Sequence, residues 1–192
     1  IMKKIVNNLD KLPVAVSGLA LGTAGIGNVL ALEVSSSLRS VCATIALIIL
    51  LLVTIKKLAH PKLLWNEIAH PVLGSFIPAF DMCLMIIADV VTNFSLLGGQ
   101  ILWCFAIILH IGFAGSFLYH RFRDFDLNHM LPSWYVPPVG IVVACVTGSH
   151  MEMGTVSHVI FYVGFIAYII MLPAMMYRLV FGDRIGDAQL PS

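Results

Sequence analysis

The sequence predicts an all-α integral membrane protein built of helical hairpins, and three observations carry that prediction. The first is a scarcity of charge. Of 192 residues, 59% are hydrophobic and 11% charged, with a mean hydropathy of +0.96, whereas an ordinary soluble domain carries about 25% charged residues. The second is run length: apolar stretches of about 20 residues match the hydrocarbon core of a bilayer, and an aqueous fold would have to bury nearly all of them in one core. The third is a one-sided distribution of Lys and Arg between those stretches, which a soluble fold has no reason to impose.

Six spans follow in order. Span one, near Leu12–Leu32, opens with Pro13 and carries Gly18, Gly22 and Gly25. It is too long and glycine-rich for a cleaved signal peptide, and another span follows it rather than a soluble domain. Span two, Leu38–Ile55, is plainer and more uniformly apolar than span one. Span three, Pro71–Val91, contains Phe76, Pro78, Phe80 and two carboxylates, Asp81 and Asp89. Span four, Leu97–Tyr119, has His110 in its middle and His120 just past its end. Span five, Ser133–Thr147, is short and includes Pro137 and Pro138. Span six, Thr155–Val180, is long enough to tilt or to begin at the interface. Paired in sequence they make three hairpins, 12–55, 71–119 and 133–180, within a single transmembrane domain over residues 1–192.

Orientation follows from the basic residues. Lys3, Lys4 and Lys11 precede span one; Lys56, Lys57 and Lys62 lie between spans two and three; Arg121 and Arg123 follow span four; Arg178 and Arg184 close span six. Ten of the eleven Lys and Arg thus fall on one side, with Arg39 alone on the other. Short cytoplasmic loops are enriched in Lys and Arg, so a multi-pass protein of the cell membrane with both termini cytoplasmic is expected. The net charge of +1 and the absence of a basic stripe exclude nucleic acid as a partner. Cys42, Cys83, Cys104 and Cys145 each fall in an apolar run without a C-x-x-C pair, and read as small packing residues.

The odd spans open alike, on Leu12-Pro13-Val14, His70-Pro71-Val72 and Leu131-Pro132-Ser133, with their prolines 58 and 61 residues apart. A hairpin repeated at this period suggests units around a common axis. Proline in a first turn costs little. Pro78, Pro137 and Pro138 fall inside their spans, where each removes a hydrogen bond and the freed carbonyl must face protein or water. The odd helices are therefore expected to face inward. Gly18, Gly22 and Gly25 form one smooth stripe, read either as a close helix–helix contact or as a lining of the path.

Intramembrane ionisable groups are site candidates by default. Asp81 is the deeper carboxylate. Asp89, eight residues on, is turned about 80° away and reads equally as a residue holding helices together. His110 and His120 raise the alternative of haem, but they are about 15 Å apart along a helix and no second spaced pair accompanies them, so no cofactor is expected. His150, Glu152 and His158 match no strong zinc spacing and read as a solvated loop, with no metal site expected. No G-x-S-x-G, H-E-x-x-H or P-loop supports catalysis or ATP coupling, so an enzyme is not expected. Apart from Arg39 and Arg178 at their ends, the predicted spans hold no Lys or Arg that would trap a permeating anion, and conduction requires such weak binding.

Three segments resemble one known family: Leu12-Pro13-Val14-Ala15-Val16-Ser17-Gly18-Leu19-Ala20-Leu21-Gly22 with Gly27-Asn28; His70 to Pro78; and Pro132 to Gly140. They are similar to the tellurite-resistance/dicarboxylate transporter family, which includes the bacterial TehA proteins and the plant slow-type anion channels. That resemblance implies ten helices in five hairpins around a central pore lined by odd-numbered helices, a homo-oligomer, usually a trimer, and small anions or C4-dicarboxylates as substrates in a lipid bilayer. Six of the ten helices are expected here, truncated after the sixth; Gly182–Ser192 resembles the connection toward a seventh. The family's pore-plugging phenylalanine lies in its ninth helix, so nothing here inherits that role. The path residues expected are Gly18, Gly22, Phe76, Pro78, Phe80, Asp81, Pro137 and Pro138. Competing expectations are a proton- or cation-coupled transporter using Asp81 and His110, and a non-transporting membrane scaffold.

Overall fold

Residues 9–183 are described in the computed structural model. Lys3, Lys4 and Arg184 of the charge pattern, and the tail from residue 184 on, lie outside the described residues. Within them the chain forms helices and short 3-10 turns, without a strand.

Helix α1 (Val16–Glu33) and helix α2 (Ser36–Ala59) are joined by two residues, which makes them antiparallel neighbours. Their shared face is built from Ser17, Ala20, Ala24 and Gly27 against Ala43, Ala46, Leu50 and Val53. Small side chains let the two backbones approach; a Cβ at Gly27 would lie 2.5 Å from the Cβ of Cys42. The stripe of Gly18, Gly22 and Gly25 is not this contact. A Cβ at any of the three would meet nothing within 4 Å, so the close approach expected of the stripe runs instead through Gly27, on another face of the same helix.

Helix α3 (Pro61–Ala69) bridges to the second hairpin. The predicted third span is two helices, α4 (Leu73–Phe76) and α5 (Ala79–Val91), with Pro78 at the break. Proline has no N–H to continue the ladder of α4, and its fixed φ suits the start of α5. Helix α5 is the most buried element, with Ala79–Asp81, Cys83 and Met85–Val90 all inside. It contributes Phe80, Cys83, Ile86 and Ile87 to a core shared with α1 and α2, and Met85 and Ala88 to a second core beneath helix α6 (Leu96–Arg123). Ser95 caps α6, its hydroxyl accepting from the Gly98 N–H at 3.1 Å.

The predicted fifth span is not one continuous helix. The chain passes through a 3-10 turn (Pro132–Tyr135), α7 (Val136–Val139), a second turn (Gly140–Val142), α8 (Val143–Gly148) and a third turn (Ser149–Met151). Three prolines, Pro132, Pro137 and Pro138, each lack the N–H that the i→i−4 ladder needs. Glu152, in the left-handed region at φ 57°, turns the chain into helix α9 (Gly154–Phe181). Among the described residues five segments are long and apolar enough to cross a membrane: Val16–Glu33, Ser36–Ala59, Leu73–Val91, Leu96–Arg123 and Gly154–Phe181.

Each hairpin is closed at its basic end in the same way. Lys56, near the end of α2, donates to the carbonyl of Leu12 at 2.9 Å. Arg121, near the end of α6, donates to the carbonyl of Ala69. Arg178, near the end of α9, donates to the carbonyl of Asn128 at 2.9 Å. In all three the return helix reaches back to the backbone just ahead of its own proline-led partner. These three cations are buried, so they serve as intra-hairpin ties, a role the charge pattern alone does not reveal. At the opposite end Asp89 joins the hairpins to one another. One carboxylate oxygen accepts from Arg39 of the first hairpin, itself held to Asn28 at 2.9 Å, and the other lies 3.0 Å from His150 Nδ1 of the third.

Candidate functional site

The break at Pro78 has a chemical consequence. By restarting the helix at Ala79 it places Asp81 in the first turn of α5, where the aligned peptide dipoles favour negative charge. Asp81 is fully buried. His110 arrives from α6 on the face that also buries Trp103, Ala106, Ala114 and Phe117, at helical spacing. Its Nδ1 is hydrogen-bonded to Asp81 Oδ2, and its Nε2 lies 2.8 Å from the carbonyl oxygen of Pro137. The interrupted fifth span thus supplies an acceptor from α7.

The proton count follows from the partners. A carbonyl can only accept, so Nε2 carries hydrogen and donates to Pro137. One further proton lies between Nδ1 and Oδ2. Whether it sits on nitrogen or on oxygen, the Asp81–His110 pair is neutral overall, which is how a buried carboxylate avoids the full cost of an isolated charge. Asp81 Oδ1 has no hydrogen-bond partner. Gly140 leaves room for the ring and for Met82: a Cβ there would lie 2.6 Å from Met82 Sδ and 3.4 Å from His110 Cε1.

A cation stands beside this pair. Helix α2 runs past the predicted end of span two to Ala59, and Lys57 lies within it. Its ammonium packs 3.9 Å from the ring centroid of Phe80 and 4.8 Å from that of Phe113, is shielded from solvent and has no hydrogen-bond acceptor. Lys56 beside it is bonded to Glu67 at 2.6 Å. The buried carboxylates among the described residues are Glu67, Asp81 and Asp89, and each has its own partner, in Lys56, His110 and Arg39 respectively.

Of the residues expected on a path, Phe80, Asp81 and Pro137 gather here, with Pro78 buried just ahead of them. Phe76 packs against the cluster of Val14, Ile68 and Ile77. Pro138 borders an open cavity of about 340 Å³ with His110, Gly115 and Val163. Gly18 and Gly22 line open space on α1 and touch none of these. Both ring nitrogens of His110 are engaged, which leaves none for haem iron. No group of three or more His, Cys, Asp or Glu able to hold a metal occurs among the described residues, His150, Glu152 and His158 included. Lys57, Phe113 and the Pro137 carbonyl are absent from the sequence expectation. A signal for Lys57 exists: carrying the buried α2 series of Leu50 and Val53 forward by one turn reaches Lys56 and Lys57.

Comparison with known proteins bears on the whole chain. A family model described as a voltage-dependent anion channel (SLAC1) matches residues 11–192. Two uncharacterized transporters of Methanocaldococcus jannaschii are each 26% identical to this chain, one over 159 residues covering 76% of the chain and 46% of the relative, the other over 140 residues covering 66% and 40%. The chain therefore spans less than half the length of these curated relatives.

Proposed function

On the premise that this chain belongs to the voltage-dependent anion channel (SLAC1) family, we propose that it forms part of a membrane channel or carrier for small anions, C4-dicarboxylates among them, with the path along the inner faces of the proline-led segments. The observation that carries this reading is the charge balance of the core. Glu67, Asp81 and Asp89 are each matched by a cation or a shared proton, so among the described residues no buried carboxylate is left uncompensated to hold a metal cation. The ammonium of Lys57 has no bonded counter-charge. The electrostatic bias of such an interior favours anions. We place Gly18, Gly22, Phe76, Pro78, Phe80, Asp81, Pro137 and Pro138 along the path, both termini in the cytoplasm, and the functional protein as a homo-oligomer, a trimer by family resemblance.

The test is flux of chloride, nitrate and malate through the full-length protein in liposomes. Anion flux is expected; impermeability to all three, with proton or metal flux in its place, rejects the reading. A second reading, proton-coupled transport, draws on the single proton held between Asp81 and His110. Replacing Asp81→Asn abolishes activity under that reading and leaves a simple anion path largely working under the first.

A further inference from the structure

Outside the Asp81–His110 pair, three polar clusters stand in the bundle: the Ser75–Ser133 contact, the Lys57 ammonium and the junction around Asp89. Ser75 donates to the Val72 carbonyl at 2.7 Å and to Ser133 at 2.8 Å, which ties the second proline-led segment to the third. Lys57 is occupied by the faces of Phe80 and Phe113. The Asp89 junction combines a buried ion pair, a solvent-exposed histidine and a cavity, and all three hairpins contribute to it.

The cavity is open, about 290 Å³ in volume, and lies at the end of the bundle opposite the basic clusters. Helix α1 contributes Asn28 to its lining, α2 Arg39, α5 Asp89, α8 Val146, and the turn after α8 His150. Its charge can be counted. Arg39 is ion-paired with Asp89, and the two cancel. Asp89 is buried, and its second oxygen lies 3.0 Å from His150 Nδ1. A carboxylate only accepts, so Nδ1 is the donor whether the ring is neutral or protonated. The His150 side chain is 64% exposed, so protons from bulk water reach the ring, and histidine is the side chain whose charge ordinarily changes between pH 5 and 8. The lining is therefore neutral overall with His150 neutral and carries one positive charge with His150 protonated.

The other polar and titratable groups near this turn are engaged elsewhere or screened. The turn packs against α8, α6 and α9. From α8 the Cys145 thiol donates to the Ser157 carbonyl at 3.1 Å, and from α6 Gln100 donates to the Met151 carbonyl at 2.9 Å. Glu152 on the link to α9, and His158 and Tyr162 on α9, are exposed, where water and salt screen them.

We propose that His150 is a proton-operated charge switch at the mouth of the anion path. Protonation gives the cavity a net positive charge, which gathers anions, and makes the contact with Asp89 a charge-assisted bond that holds the third hairpin to the other two. Loss of the proton returns the cavity to neutrality. This deepens the anion reading and rests on it: under the proposed topology the switch faces outward, and external acid promotes anion entry.

The experiment measures the potential in the cavity. In the full-length protein with its native cysteines replaced by alanine, Val146→Cys puts one thiol on the lining, and its rates of reaction with an anionic and a cationic methanethiosulfonate are compared at about pH 6 and about pH 8. The ratio of the two rates cancels the ionisation of the thiol itself. From the higher pH to the lower, the anionic-to-cationic ratio is expected to rise about tenfold, since one partly screened charge changes each rate about threefold and in opposite directions. In His150→Gln the ratio is expected to keep its low value throughout, in His150→Lys its high value throughout, and in the exposed control His158→Gln to shift as in the parent protein. No shift in the parent, or an undiminished shift in His150→Gln, overturns the proposal. If His150→Gln does not fold, His150→Lys decides, and a ratio that still follows pH in that variant overturns it. Chloride flux separates this inference from the one beneath it. A shift without flux removes the transport reading and leaves the switch standing as a property of the cavity, whereas flux without a shift removes the switch alone.

Discussion

Removing one member of the Asp81–His110 pair has a different consequence from removing the other. His110→Phe leaves a buried carboxylate beside a lone Pro137 carbonyl, and stranding a buried charge in this way costs about 3–5 kcal/mol. Asp81→Asn replaces the carboxylate by an amide that can still hydrogen-bond the ring, at about 1–2 kcal/mol. Thermal unfolding of the purified protein is therefore expected to show His110→Phe melting well below Asp81→Asn, and the double replacement Asp81→Leu with His110→Phe melting above His110→Phe alone. Equal midpoints for the two single variants would show that no charge-bearing pair exists. At this scale the sequence was informative about which residues matter and silent about how they meet. An intramembrane Asp and a mid-span His are each conspicuous by cost, but they lie on different helices 29 residues apart, and their partnership depends on a break at Pro78 whose effect on helix direction no periodicity encodes. Lys57 escaped for a different reason. It sits just past an apolar window, where a basic residue reads as a headgroup contact, and only the continuation of α2 to Ala59 turns it inward.

Among the helices, the glycines separate into two populations that composition treats as one. At Gly74 a Cβ would collide with the backbone carbonyl of Ile68 and come within 2.8 Å of the Phe117 ring; Gly74→Ala is expected to destabilise by about 1–3 kcal/mol, as overpacking does. At Gly25 nothing lies within 4 Å, and Gly25→Ala is expected to be neutral or to stabilise by up to about 1 kcal/mol through helix propensity. Melting curves of the two variants check both signs, and a marked loss at Gly25 would mean that another surface covers α1. Apolar runs located the long helices well, because burial in lipid and length are both one-dimensional properties. The fifth span was legible only as an anomaly, short and proline-rich. That it divides into α7, α8 and three 3-10 turns follows from side chains of other segments, His110 above all, that satisfy its interrupted backbone.

For the molecule as a whole, the one-sided basic pattern makes an accessibility prediction. In intact cells a single cysteine replacing Lys62, at the basic end, is expected to resist a membrane-impermeant thiol reagent, whereas one replacing Ser95, at the opposite end, is expected to react, with the native cysteines first replaced by alanine. The reverse pattern would invert the proposed topology. Both the hairpin period and the charge asymmetry were visible in the sequence, since each is a property of spacing alone. The closure of each hairpin by Lys56, Arg121 or Arg178 was hidden, because a Lys or Arg at a helix end looks the same whether it faces a lipid phosphate or a buried carbonyl. That closure also bears on how such a protein is made. The three ties join residues 44, 52 and 50 positions apart, each within a single hairpin. As a chain grows from its N-terminus into the membrane, every hairpin can fasten itself once its return helix has emerged, before the next one is synthesised. Biogenesis can then proceed as a succession of self-fastened units, in which a fault in a late hairpin leaves the earlier ones intact.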